Sequence, residues 1–261
     1  TRSIWVTGVQ TCALPITIAP LLRMLPTARG QRLSRIGLQR GMRAFVALMR
    51  RLGVLTYDFR GAERLGRPGQ LIVANHPSLI DVVFLIAFTP GANCVVKHAM
   101  FRNPLTRSVV RAAGYISNEL TADMIERAAA ALEQGQCLIM FPEGTRTSVG
   151  RPLEFHRGAA NVAVRAAASV TPVYIRCQPV TLTKAQPWYR IAPRRPHFTL
   201  EVGADFDLGA VRSMKSIPLA SRAFNEQMRL NFQGELQRLD GYTNAASGDD
   251  PGAEPAAIRP S

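Results

Sequence analysis

At 261 residues, with 47% hydrophobic and 19% charged positions, the chain can build one large domain or at most two small ones, and a disordered polymer is excluded. A net charge of +14 and a pI near 10.9 point to anionic company: nucleic acid, a membrane face or a phosphorylated substrate. Four cysteines, at 12, 94, 137 and 177, form no C-x-x-C pair, so reduced thiols are expected, with no zinc site, disulfide framework or other metal centre.

The first sixteen residues, "TRSIWVTGVQTCALPI", fit no signal-peptide pattern and read as translated adapter sequence. They are set aside, and the native start is expected to be missing. Residues 17–54 are expected to form an N-terminal membrane-associating helical segment. "ALPITIAPLLRML" is too short, and too interrupted by Pro15, Pro20 and Arg23, to span a bilayer, and "ITIAPLLRML" within it is read as the remnant of a longer apolar anchor. Residues 1–60 hold ten arginines, no lysine and one acid, Asp58. In "RLSRIGLQRGMRAFVALMRRLGVL" the residues Leu33, Ile36, Met42, Phe45, Val46, Met49 and Leu52 recur at roughly helical intervals between arginines. Such a basic amphipathic helix suits a membrane surface, and equally a helix packed on its own domain with a solvated basic face.

Beyond it, "VLTYDFRG" predicts a strand ending at Gly61, and "GRPGQ" turns into a buried strand, "LIVAN". A helix is expected from Pro77 to about Phe88, then a strand in "ANCVVKH", a helix with a loop entry in "MFRNPLTRSVVRAAG" and an extended "YISNE". Thr121 is expected to cap "ADMIERAAAALEQ", which stops at Gly135. "CLIMF" is a buried strand, "RGAANVAVRAAAS" a helix, "VTPVYIRC" and "HFTLEVG" strands, and "ASRAFNEQMRLNFQGELQRL" a C-terminal helix. The alternation predicts a single α/β domain, residues 55–240, with a central, largely parallel or mixed sheet flanked by helices. Residues 241–261, polar and rich in Gly and Pro, are expected to be a disordered tail.

Two stretches carry chemistry. In "LIVANHPSLIDVVFL", residues 71–85, the apolar run breaks at Asn75-His76-Pro77 and resumes with one acid, Asp81. On an ideal helix, residues five apart do not share a face. Pro77 at the first helical position would leave His76 at the cap, free to fold toward Asp81, which could then fix its tautomer. The plain alternative is a capping histidine with an unrelated acid. In "FPEGTRT", residues 141–147, Gly144 would let backbone amides approach an anion, Thr145 offers a hydroxyl and Arg146 a bidentate fork. A β-turn with exposed charges is the plain alternative.

Asn-His-x4-Asp followed some sixty residues later by Phe-Pro-Glu-Gly-Thr-Arg resembles the glycerolipid acyltransferase family, and within it the bacterial 1-acylglycerol-3-phosphate acyltransferases. "VVKHAMFRNPLTRSVVRAAGYI", "FHRGAANVAV" and "VTPVYI" are similar to further segments of that family, so the resemblance covers roughly residues 55–180. It implies transfer of an acyl chain from an acyl-CoA or acyl carrier protein thioester, as co-substrate rather than cofactor, to a lysolipid hydroxyl. His76 would be the general base and Asp81 its orienting partner. Glu143, Gly144, Thr145 and Arg146 would form the acceptor site, and Lys97 would stand near the acceptor's phosphate or be an ordinary surface lysine. Oxyanion donors are sought among backbone amides near Pro77 and Ser78. The implied partners are an anionic membrane surface, a lysolipid and an acyl thioester, with no nucleic acid. The implied location is the cytoplasmic face of a bacterial inner membrane, peripheral or N-terminally anchored. One departure bears on the acceptor: "GYISNE" has Asn118 and Glu119 where the family usually ends the block with an arginine, which leaves room for another lysolipid, such as a lyso-ornithine lipid. His156, beside Arg157, is a further candidate to line the site.

Three rivals remain. A serine hydrolase would need a Gly-x-Ser-x-Gly elbow, which the chain lacks. A basic binding module shows no recognisable nucleic-acid motif. A lipid-binding pseudoenzyme sits poorly with the intact His76, Asp81, Glu143 and Arg146.

Overall fold

The computed structural model describes residues 28–119, 121–146, 152–181 and 194–246. The segment read as adapter sequence, the "ALPITIAPLLRML" stretch, Thr147 and residues 247–261 of the expected tail lie outside them.

Seven strands form one mixed sheet in the order β1-β7-β6-β2-β5-β3-β4. They are β1 (Thr56–Arg60), β2 (Gln70–Ala74), β3 (Asn93–Val96), β4 (Ile116–Ser117), β5 (Leu138–Met140), β6 (Ser169–Gln178) and β7 (His197–Val202). The sheet's centre is β2, parallel to both β5 and β6 and buried at all five residues. Its unbroken Leu-Ile-Val-Ala run suits a strand covered on both faces. β7 runs antiparallel to β6 and carries β1 parallel to itself. That reversal makes the sheet mixed and leaves the ends of β2, β3, β4, β5 and β6 gathered along one edge. The predicted single α/β domain is observed, and all seven strands lie where the sequence puts them.

The helices are α1 (Ala28–Arg51), α2 (Asp81–Phe88), α3 (Ala99–Arg102), α4 (Arg107–Ala112), α5 (Thr121–Glu133), α6 (Gly158–Ala166), α7 (Gly209–Arg212) and α8 (Ile217–Ala246). One core cluster joins α5, α6 and α8 to a face of the sheet through residues such as Leu138, Ala160, Phe224, Met228 and Phe232. The other joins α1, α2 and α4 to the opposite face through Val46, Met49, Ile72, Phe84, Leu85, Val110 and Phe198. The small-residue face of α6 lets it press against the sheet: Ala159, Ala160, Val162 and Ala163 are buried.

Four boundaries differ from expectation. The helix predicted from Pro77 starts at Asp81, after a turn, because Asp81 folds back on Ser78. The helix expected in 100–114 is two short ones, interrupted at Asn103-Pro104, where Pro cannot continue a helix. α7 was not anticipated, its four residues being too few for a periodic pattern. Helical chain also continues past residue 240, to Ala246, six residues into the segment expected to be a disordered tail.

Much of the apolar side of α1 packs on its own domain, while Leu33 and, just past its end, Leu52 stay exposed. Val46 and Met49 are buried, and Leu38, Met42 and Phe45 pack beside them. Arg35, 5% exposed, donates from Nη1 to the Ala113 carbonyl at 3.2 Å. Arg43 lies 5.7 Å from the centre of the Phe88 ring, and Arg50 lies 5.3 Å from that of Tyr57. Ala113 closes α4 and Phe88 closes α2, so the Arg35 and Arg43 contacts fall at the C-terminal ends of those helices, and that of Arg50 falls on β1. The arginines Arg29, Arg32, Arg40 and Arg51 face outward.

Candidate active site

The site occupies the edge where the parallel strands end, as expected for an α/β sheet. β2 leads into Asn75-His76, its neighbour β5 into Phe141–Arg146, and the next strand, β3, into Lys97.

As the main chain leaves β2, the Asn75 side chain continues the ladder. Its Nδ2 donates to the Ile175 carbonyl and its Oδ1 accepts from the Ile175 N–H, both at 2.8 Å. The backbone is thereby tied to β6 one residue before the histidine. The His76 N–H then donates to Glu143 Oε1 at 2.8 Å, linking the β2 and β5 loops. Glu143 is 8% exposed, and its carboxylate reaches the histidine's main chain rather than standing as an isolated head-group ligand.

His76 Nδ1 lies 3.0 Å from Asp81 Oδ2, and the same oxygen accepts the Ser78 N–H at 2.6 Å. The expectation that these side chains meet is met, by a different route: a turn at 77–80 brings Asp81 back under the imidazole, with no cap at His76. An ionised carboxylate only accepts, so Nδ1 carries the hydrogen when Asp81 is charged, and Nε2 is left as the basic nitrogen. The His76 ring stacks on Phe141, 4.4 Å between centroids and 28° between planes. Phe141, Glu143 and Asp81 together fix the position of a ring whose side chain remains 16% exposed.

Asp81 is fully buried, at the first position of α2, where the helix dipole favours an anion. Burial pushes its carboxyl above the ordinary 3.8. The hydrogen bond and charge of His76, the Ser78 N–H and the Arg146 charge act in the opposite direction. Asp81 Oδ1 has no hydrogen-bond partner among the described residues.

Gly144 sits at φ +63°, and its N–H closes the turn on the Phe141 carbonyl at 3.0 Å. A Cβ there would stand 3.1 Å from His156 Cδ2, so the position requires glycine both for its backbone and for the ring beside it. The Gly144 N–H itself is thus used within the turn. Lys97 Nζ approaches Thr145 Oγ1 at 3.4 Å, which joins the β3 and β5 loops, and Arg146 is close enough for its charge to act on Asp81. His156 N–H donates to the Pro142 carbonyl at 2.8 Å, holding that loop against the same turn. The sought oxyanion donors are not at Pro77 and Ser78: proline has no N–H, and that of Ser78 is taken by Asp81.

Beyond Lys97, His98 Nδ1 lies 2.8 Å from Glu119 Oε2, and the His98 N–H donates to Asn118 Oδ1 at 3.0 Å. The two residues noted as departures thus hold the start of the β3–α3 loop. The sequence reading missed this pairing, and also missed Asn75, Phe141 and the reach of Glu143 to the His76 backbone. Only Asn75, a polar residue ending a buried apolar strand, left a signal. Among the described residues no group of three His, Cys, Asp or Glu side chains could hold a metal, and no helix is long and apolar enough to cross a membrane.

Residues 56–176, the stretch holding every group named above from His76 to Arg146, match the family model described as Acyltransferase. Over that stretch the chain is similar to acyltransferases. Among its relatives, the 1-acyl-sn-glycerol-3-phosphate acyltransferase of Limnanthes alba is 32% identical over 125 residues, 45% of this chain and 44% of that protein. Those of Borreliella burgdorferi and Pseudomonas aeruginosa are 27% and 26% identical, over 51% and 53% of this chain and 56% of each relative. The matched stretch thus spans about half the length of these curated relatives. The crystal structure of the 1-acyl-sn-glycerophosphate (LPA) acyltransferase PlsC from Thermotoga maritima has the same fold, with a TM-score of 0.67 over 89% of this chain and 92% of that one, at 18% identity.

Proposed function

We propose that the chain transfers an acyl group from a thioester, of CoA or of acyl carrier protein, to the hydroxyl of a lysolipid, with 1-acylglycerol-3-phosphate as the leading acceptor. The observation that carries this reading is the His76–Asp81 contact of 3.0 Å on the same sheet edge as Lys97, Thr145 and Arg146. His76 Nε2 takes the acceptor's hydroxyl proton as that oxygen attacks the thioester carbonyl. The tetrahedral oxyanion collapses, the C–S bond breaks, and the departing thiolate receives the proton from His76. Asp81 holds the ring and stabilises its charged form, a contribution of roughly 10²- to 10⁴-fold for base assistance. Lys97 and Arg146 supply positive charge for the acceptor's anionic group. The relatives named as acting on 1-acyl-sn-glycerol-3-phosphate support that acceptor. The net charge of +14 supports a peripheral place on the cytoplasmic face of a bacterial inner membrane.

One observation favours a second acceptor. Glu119, paired with His98, places a carboxylate beside the residue that follows Lys97 and so suits an acceptor that carries an amine, such as a lyso-ornithine lipid. A transfer assay with a panel of lysolipids and both donor types, read by mass spectrometry, tests both. Product from 1-acylglycerol-3-phosphate is expected. Product from an amine-bearing lysolipid alone would establish the second reading, and no product with any acceptor, despite lipid binding, would leave a non-catalytic lipid-binding protein.

A further inference from the structure

Asp81 and Phe141 hold the ring of His76, and other groups place its main chain. Register pairing of β2 with β6 ends at Ala74 and Val173, and that of β2 with β5 ends at Val73 and Met140. β6 itself runs on to Gln178, paired with β7 along its other edge. Past Val173, the edge of β6 that faces β2 therefore has a side chain where a strand had been.

That side chain is Asn75. Its amide accepts the Ile175 N–H and donates to the Ile175 carbonyl, each at 2.8 Å. Ile175 is 1% exposed and stands opposite Leu200 of β7, so it is a fixed point inside the sheet. Buried main-chain groups need partners, and the amide supplies both at once. The β2 main chain can then leave the ladder without losing its hold on β6. The next N–H, that of His76, turns the other way, to Glu143 Oε1 at 2.8 Å. The peptide that carries the imidazole is thus gripped from β6 on one side and from the β5 loop on the other.

We propose that Asn75 is a positioning residue for the transfer reaction: its two bonds to Ile175 set the distance between His76 Nε2 and the acceptor hydroxyl. At 3% exposure Asn75 touches no substrate, and it acts through the histidine alone. The side-chain type matters. A serine hydroxyl is shorter and has one hydrogen, and an ionised aspartate would turn an acceptor toward the Ile175 carbonyl. Without the amide, Asp81 and Phe141 still orient the ring, but the main chain beneath it can drift, and a displacement of about 1 Å costs roughly 100-fold in rate. The proposal rests on the reading of His76 as the general base.

The test is a double-mutant cycle of N75A, H76A and N75A/H76A in the full chain. Transfer from acyl-CoA to 1-acylglycerol-3-phosphate is followed by mass spectrometry, and kcat is expressed per folded molecule by circular dichroism. N75A is expected to lower kcat about 10- to 100-fold, with acceptor KM changed less than about twofold. In the H76A background the same change should cost less than about twofold more, because a residue that works through the base has nothing left to act on. N75S should fall between N75A and the native chain, and it takes the place of N75A in the cycle if N75A does not fold. M49A, which removes packing in α1, should lose stability and keep its kcat per folded molecule, so it shows what destabilisation alone does. A kcat within about twofold of native, a loss confined to KM, or equal losses in both backgrounds would each overturn the proposal. Native-like turnover in H76A would instead reject the base itself, whatever N75A does.

Discussion

Two regions advertise themselves in this sequence, the β2–α2 turn with its histidine and acid, and the arginine-rich helix α1, and they are resolved in opposite ways. In the turn, polar groups close on one another: His76 on Asp81, Ser78 on Asp81 and Glu143 on the His76 backbone. In α1 most of the apolar groups close on the domain, Leu33 and the adjoining Leu52 excepted, and most of the arginines remain in solvent. A pattern of reactive residues a few positions apart already defines its own partners. An amphipathic pattern defines only that one side must be covered, and says nothing of what covers it.

Variants can break or sharpen that contrast. The largest effect is expected for His76→Ala, which should lower the transfer rate by roughly 10²- to 10⁴-fold while lysolipid binding and thermal unfolding stay near the native values. Native-like turnover in this variant would reject the base. Asp81→Asn keeps the shape but permits the wrong tautomer of His76, and a loss of about 10²-fold or more in kcat is expected, with acceptor KM little changed. For Arg146→Ala the fall should appear in KM instead. A charge-assisted hydrogen bond contributes roughly 1.5–3 kcal/mol, so acceptor KM should rise about 10- to 100-fold. An unchanged KM would take the head group away from this residue.

On the α1 side, Met49→Ala should reduce unfolding free energy by about 2–5 kcal/mol and leave activity per folded molecule alone. A negligible change would mean that α1 is not anchored as described. The smallest effect concerns pH. Because burial raises the Asp81 pKa in the folded chain, the protonated form is the stabilised one, and its contribution is lost as pH rises from 3.8 through the folded value. The stability difference, native minus Asp81→Asn, should therefore fall across that window in urea titrations. A difference that rose with pH would reverse the sign assigned to burial.

The particular residues show where sequence reading stopped. His76 and Asp81 were legible because their spacing and the proline between them restrict what the chain can do. Their geometry was reached for a partly wrong reason, since a turn rather than a helix cap brings them together. Phe141 against His76 was illegible because stacking joins the ends of two strands that are 65 positions apart and adjacent only in the sheet. The same is true of Glu143 and of Asn75 with Ile175. Glu119 was noticed as an oddity, but its contact with His98 depends on β3 and β4 pairing in register.

By itself, the order of residues determined the alternation of strands and helices, the buried character of β2 and the identity of the reactive side chains, because apolar periodicity and side-chain chemistry are local properties. Tertiary structure alone decided that β1 and β7 reverse the sheet, that the amides of Ser78 and Gly144 are already bonded within their turns, and that α1 lies against α2. Those outcomes depend on which distant surfaces exclude water together, a quantity that no short stretch of chain contains.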